Sequence, residues 1–305
     1  MKRWLLALFA LGGLAFTALA LTFLPATLPV PAAYSGALPP ASPPDGMSIA
    51  VINTGYMEWP AGLAFRGGSF RDCRHFPIAA ILVRHPRGDL LIDAGLGANV
   101  AAHLATQPKL AQLTTTPSKP VRTQLSERGY SLDNLKGVLI THAHWDHVSG
   151  IEDLPDVPVW INGDERKFVH SRSEHAALLH GFSDVQYHKY SFEQQSYLGF
   201  DNSHDVWGDG SIVIVPAPGH TPGSVIVFLT LPGDQRYALL GDLVWQRAGI
   251  TRPAERPWPI RRLIDENADQ VRNGIRAVRA IHERYPTIKL VPAHDAQALA
   301  ELPAL

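Results

Sequence analysis

Cysteine is almost missing from this chain: Cys73 stands alone among 305 residues. One thiol cannot close an internal disulfide, and no ligand cluster surrounds Cys73 to suggest a thiolate metal site. A surplus of charge of either sign is missing as well. Twenty-seven Lys and Arg stand against 28 Asp and Glu, for a formal net charge of −1. No basic run tracks a phosphate backbone, so no nucleic-acid partner is expected. No internal repeat marks a duplication. Long apolar runs are scarce too, with one exception.

That exception is at the amino terminus. Lys2 and Arg3 precede an uncharged stretch from Trp4 to Leu24, rich in Leu, Ala and Phe. About twenty apolar residues suffice to cross a bilayer, and the basic end stays on the cytoplasmic side. Residues 1–24 are therefore read either as an anchor in the inner membrane, with the domain facing the periplasm, or as a signal peptide. Cleavage at the A-x-A site Ala18-Leu19-Ala20 would leave a periplasmic or secreted protein. Residues 25–46 carry seven prolines and read as an extended linker lifting the domain off the membrane. Residues 47–305 form the expected domain.

Within it, β-rich runs alternate with helical patterns, which indicates an α/β sandwich. Strands are expected at Met47–Ile52, Ile78–Val83, Leu90–Ile92, Val138–Ile140, Ile212–Val215, Val225–Leu229, Tyr237–Leu240 and Ile288–Val291. The second and third of these pair across His85-Pro86-Arg87-Gly88. A short helix is expected within 118–129. The clearest helix is Arg262–Tyr285, where Ile264, Ala268, Val271, Ile275, Val278 and Ile281 recur at three- and four-residue steps until Pro286 stops it. Residues 247–260, with Pro253, Pro257, Trp258 and Pro259, read as a loop that could wall a site.

The chemistry concentrates at strand ends. Val138-Leu139-Ile140 runs into Thr141-His142-Ala143-His144-Trp145-Asp146-His147, with four potential metal ligands in six residues. Neither a regular helix nor a strand aims all four inward, whereas an irregular loop does. The arrangement suits two neighbouring ions, His142 and His144 directed to one and Asp146 and His147 to the other. Imidazole and carboxylate fit zinc well and other divalent metals tolerably. Four ligands do not close two sites, and further ones follow in the same pattern: His220 in a Pro/Gly-rich turn, Asp242 after Tyr237–Leu240, and His294 after Ile288–Val291. Open α/β sheets place their sites at such carboxyl ends. Asp93 and Asp295 read as supporting or turn residues. The other nine histidines, from His75 to His282, read as surface or packing residues.

This order of HxHxDH, GH, GD and PAH resembles the metallo-β-lactamase superfamily in its binuclear hydrolase branch, over residues 47 to 305. The resemblance implies an αββα sandwich, here preceded by an amino-terminal hydrophobic helix. It implies that His142, His144 and His220 hold a first metal and that Asp146, His147 and His294 hold a second. Asp242 bridges the two. The metals are expected to be Zn, with Mn, Fe or Co as alternatives. A Cys occupies the Asp242 position in one group of true β-lactamases, and its absence here counts against penicillin hydrolysis. The segment Asp89–Gly95 is similar to family segments that support the site from behind.

By the same resemblance, a hydroxide bridging the two metals attacks an ester-type bond, most readily a lactone or carboxylic ester. Thioesters and phosphodiesters are the alternatives. Asp146 takes a second, catalytic role in holding or accepting the nucleophile's proton. The chain looks closest to acyl-homoserine-lactone hydrolases, with one departure: the Tyr those enzymes carry three residues after the bridging Asp is Trp245 here. Its indole N–H donates but cannot act as a phenol, so Trp245 is a candidate substrate contact or a packing residue. A non-haem iron oxidoreductase of the same fold is the rival class, and a non-catalytic binding protein a third. The intact second-site ligands argue against single-iron relatives. Specificity is expected in loops 53–75, 170–205 and 246–260.

Overall fold

The computed structural model describes residues 2–171 and 173–305, with the backbone alone described for residues 2–3 and 5–10. Two sheets pack face to face. The first contains β1 (Ser48–Pro60), β2 (Cys73–Arg84), β3 (Asp89–Ile92), β4 (Thr115–Pro117), β5 (Leu135–Leu139), β6 (Val159–Asn162) and β7 (Tyr187–Tyr190) in the order β4-β1-β2-β3-β5-β6-β7. Its β4-β1-β2-β3 half is antiparallel and its β3-β5-β6-β7 half parallel. The second contains β8 (His204–Asp205), β9 (Ile212–Pro216), β10 (Val225–Leu231), β11 (Gln235–Gly241) and β12 (Lys289–Pro292), in the order β12-β11-β10-β9-β8. Only its β11–β12 pair is parallel.

The side-chain alternation of the strands sorts the core into layers. Ile81 and Val83 of β2 face the second sheet and meet Ile212, Ile214, Val227 and Leu239. Their neighbours Ala80 and Leu82 face outward, against Val121, Leu125, Phe168 and Leu179 of covering helices. On the far side, Val213, Val215, Phe228 and Leu240 pack under Val271, Ile275, Val278 and Ile281. The result is the four-layer α/β/β/α sandwich that the family resemblance implied, and an α/β sandwich as the alternation of elements indicated.

Three expectations are corrected. Residues 53–60 and 73–75 are not loop, because β1 pairs with β2 along its whole length, from Ser48–Arg84 to Pro60–Cys73. The predicted helix Arg262–Tyr285 is two helices, Trp258–Ile264 and Ala268–Arg284. Asp265 is withdrawn from the helix to bond into the candidate site, and Asn267 caps the second helix by accepting from Asp269 N and Gln270 N. Finally, the Pro-rich segment is not a free spacer. Leu28, Tyr34 and Leu38 pack on the outer layer of the second sheet. Tyr34 N donates to Ala280 O at 3.1 Å, Tyr285 Oη to Gly36 O at 2.7 Å and Ser42 N to Asp209 O at 2.7 Å.

Ahead of it, Lys2–Leu21 is helical. Among the described residues no helix is long and apolar enough to cross a membrane. Most side chains in the first half of the expected anchor, residues 1–3 and 5–10, lie outside those described.

Candidate metal centre

All seven residues singled out from the sequence converge, and all are buried. The run after β5 turns into a one-turn helix at Trp145–Val148, which fans the HxHxDH side chains inward. His220 sits in the β9–β10 turn, Asp242 follows β11 and His294 follows β12. Candidate ligand atoms of His142, His144 and His220 lie within 4.8 Å of one another, and so do those of Asp146, His147 and His294. Asp242 stands between the two groups. Its Oδ2 is 3.4 Å from His220 Nε2, while its Oδ1 is 3.4 Å from His147 Nε2 and 3.1 Å from His294 Nε2. One carboxylate oxygen thus faces each group, the geometry a bridging ligand needs.

The donor set fits two cations. The Nε2 atoms of His142, His144, His147, His220 and His294 are buried without hydrogen-bond partners, as is Asp242 Oδ1. Such atoms carry a desolvation penalty unless something binds them. Meanwhile the opposite ring nitrogens are engaged. His147 Nδ1 pairs with Asp93 Oδ2 at 2.8 Å, His220 Nδ1 with Asp265 Oδ1 at 2.9 Å and His294 Nδ1 with Pro77 O at 2.7 Å. A carboxylate or carbonyl on Nδ1 fixes its proton there and leaves Nε2 with a lone pair, the usual outer arrangement of a metal-binding histidine.

Electrostatics agree. Burial, with the neighbouring imidazoles, holds His142 and His144 well below the ordinary histidine range, so both present neutral nitrogen. Burial opposes charge on His147, His220 and His294, yet adjacent carboxylates carry all three above that range. Burial would raise Asp242, but His294 and His147 hold it well below the usual carboxylate range. Without a cation, protons stand in for the charge that the acidic groups call for.

Several supporting residues carry no sequence signal. Glu165, from the helix Gly163–Val169, accepts from Ala143 N at 2.6 Å through Oε1, and from Thr221 Oγ1 at 2.7 Å and Gly223 N at 2.9 Å through Oε2. It ties the HxHxDH loop to the His220 loop. Burial pushes its carboxyl up to about 7. Arg256 is buried, donates to Asp242 O, bonds Asp265 Oδ1 at 3.1 Å and lies over the Trp245 ring at 4.8 Å. His175, read from the sequence as a surface or packing residue, stands edge-on to His144 with ring centroids 5.3 Å apart. Asp93 does support from behind, at a left-handed φ of 57°, accepting from Thr141 N and Thr141 Oγ1 besides His147. Asp295 caps the helix Ala296–Ala300 and accepts from Arg247 N. Gly219 precedes His220 at φ 134°, where a Cβ would lie 2.6 Å from Val271 N, so that turn admits only glycine.

Trp245 packs edge-on to Trp59, Phe76 and His294. Its Nε1 donates to Asp242 Oδ2 at 2.7 Å. The indole N–H is thereby engaged with the central carboxylate rather than with a substrate oxygen.

The model of the metallo-beta-lactamase superfamily matches residues 74–304. The chain belongs to the metallo-beta-lactamase superfamily. Within the superfamily, it is 25% identical over 238 residues to a probable metallo-hydrolase of Mycobacterium tuberculosis (strain ATCC 25618 / H37Rv), covering 70% of this chain and 73% of that one. It is 24% identical over 233 residues to an N-acyl homoserine lactonase of Rhizobium radiobacter, covering 73% and 84%. A solved N-acyl homoserine lactone hydrolase, with N-hexanoyl-L-homoserine at its catalytic metal centre, superposes at a TM-score of 0.66 and 14% identity. That superposition spans 84% of this chain and 96% of the other. A dizinc quorum-quenching lactonase superposes at 0.56 and 14% identity, over 82% and 88%.

Proposed function

We propose that this metallo-hydrolase cleaves a lactone or carboxylic ester, with N-acyl homoserine lactones as the first substrates to test. The observation that carries the reading is the ring of unpartnered Nε2 atoms around Asp242, whose two oxygens face two separate histidine groups. His142, His144 and His220 would hold one divalent ion, Asp146, His147 and His294 the other, and Asp242 both. Zinc suits the nitrogen-rich donor set best. The ions, when bound, would supply an acidified water and a polarised carbonyl oxygen.

The chain's own residues do the rest. Asp93, Asp265 and the Pro77 carbonyl fix three histidine tautomers. Glu165 holds the two ligand loops in register, and Arg256 braces both the Asp242 backbone and Asp265. Asp146 Oδ2 stands 3.5 Å from His294 Nε2 and 3.9 Å from His147 Nε2. One of its oxygens would bind metal, and the carboxylate would also hold the nucleophile's proton. Trp245 would orient Asp242 and wall the site. Similarity to the lactonase relatives supports the substrate class. The amino-terminal apolar stretch supports export, with the domain on the periplasmic side.

The test is metal-dependent ring opening of N-hexanoyl- and longer-chain homoserine lactones by the full-length protein, followed by proton release, with Asp242→Asn as control. Turnover lost in the control is the expected result. A protein loaded with two zinc ions that opens none of these rings overturns the lactone assignment.

A further inference from the structure

The carboxyl end of the amino-terminal helix is fastened to the domain at one place. Arg66 donates to Leu21 O at 3.1 Å and to Leu24 O at 3.3 Å. Gly67 N donates to Phe23 O at 3.0 Å, and the Phe23 ring packs on Phe70 with centroids 5.3 Å apart. A few residues later, Leu28 N donates to Pro253 O at 2.6 Å. The same Arg66 stands 3.8 Å from buried Glu255, which also binds Arg261 and, at 2.6 Å, Arg272. Arg261 belongs to the helix Trp258–Ile264. The helix end, the 65–72 loop and this second helix therefore meet on one ion-pair hub.

What surrounds the hub is unusual for a water-facing surface. The helix Trp258–Ile264, of sequence WPIRRLI, buries no residue. Trp258 is 48% exposed, Leu263 60% and Phe70 55%, and Leu21 and Leu24 beside them are exposed as well. Arg71 and Arg262, next in the chain to Phe70 and Leu263, and Arg252, next to Pro253, are exposed too. Tryptophan, apolar side chains and arginine together are the composition of a membrane–water interface, where arginine meets anionic headgroups. Leaving this surface, the amino-terminal helix carries Leu11, Leu14 and Phe16 exposed. On the other side of the hub, Arg256 follows Glu255 directly and touches the Asp242 backbone.

We propose that the face formed by Phe70, Trp258 and Leu263 with Arg71, Arg252 and Arg262 rests on an anionic lipid bilayer. The amino-terminal apolar helix enters that bilayer. The proposal rests on the export-anchor reading.

The test uses the full chain in a Cys73→Ser background, with a polarity-sensitive fluorophore on Leu263→Cys. The control label is on Gln235→Cys, an exposed position at the start of β11, the end remote from Asp242. Protein is mixed with phosphatidylcholine–phosphatidylglycerol vesicles and floated on a density gradient. A blue shift and nitroxide-lipid quenching at position 263, absent at 235, is the expected result. Flotation with both labels in water overturns this face while leaving the anchor standing. Failure to float overturns anchor and face together. Should Leu263→Cys not fold, Phe70→Cys gives the same readout, and none of these outcomes depends on turnover.

Discussion

Asp93→Asn separates a supporting residue from a merely structural one. The Asp93 side chain is buried and accepts three hydrogens: Thr141 N–H at 2.7 Å, Thr141 Oγ1–H at 2.8 Å and His147 Nδ1–H at 2.8 Å. Asparagine keeps the shape and tolerates the left-handed backbone, so the fold should survive. It offers one acceptor oxygen and an NH2 donor, however. Whichever way the amide is turned, its NH2 meets either Thr141 N–H or His147 Nδ1–H. With the oxygen kept on Thr141 N–H, His147 must shed its Nδ1 proton and carry it on Nε2, the atom aimed between Asp146 and Asp242. Loss of such an outer partner weakens metal binding roughly 10–100-fold, or about 1.4–2.8 kcal/mol. Metal-free protein titrated with zinc against a chromophoric chelator reads the two sites separately. The Asp146/His147/His294 site should weaken by that factor and the His142/His144/His220 site should not. A variant binding both ions with wild-type affinity refutes the tautomer argument.

Four further outcomes are expected. Glu165→Gln replaces an acceptor of three hydrogens with a group that opposes one of them, and should cost about 1–3 kcal/mol in denaturant unfolding; an unchanged midpoint would dismiss the bracing role. Burial raises the Glu165 carboxyl from an ordinary 4.5 to about 7, so between those values the metal-free folded state binds more protons than the unfolded chain. Its stability should accordingly fall as pH rises through that window, and a melt series against pH should show that slope lessened in Glu165→Gln. Arg256→Met leaves Asp265 and His220 without the guanidinium in a buried network, an expected loss of about 3–5 kcal/mol that calorimetry would test. Zinc at about 1,000 times its dissociation constant should stabilise the fold by roughly 4 kcal/mol per site, so a chelator that leaves the melting temperature unmoved would speak against folded-state metal binding.

The sequence exposes ligands more readily than their supports, and the reason is physical. A candidate ligand at a strand's carboxyl end has a local signature, an apolar run followed by His or Asp, and all seven candidates that converge here stand in that pattern. Glu165 and Arg256 work through partners tens of residues away in the chain, and no spacing marks such contacts. Asp265 was actively concealed. The apolar period of Ile264, Ala268 and Val271 continues through it, while its carboxylate is drawn out of helical register by His220 and Arg256. Likewise residues 53–60 lack a clean alternation, and only their pairing with β2 makes them strand. The Pro-rich segment misled for the opposite reason. Its composition describes a free chain, but Leu28, Tyr34 and Leu38 find apolar surface to cover.

Asp242 faces a histidine group on each side, and the sheets divide those groups unevenly. His142, His144, Asp146 and His147 leave the first sheet, whereas His220, Asp242 and His294 leave the second. Each ion held there would take ligands from both. At this end of the sandwich the ions would act as rivets through the seam, joining layers whose interior contact is an apolar cluster. Stripping the metals should therefore loosen one rim of the protein, raising amide exchange at the ends of β5, β11 and β12 while β10 at the centre stays protected.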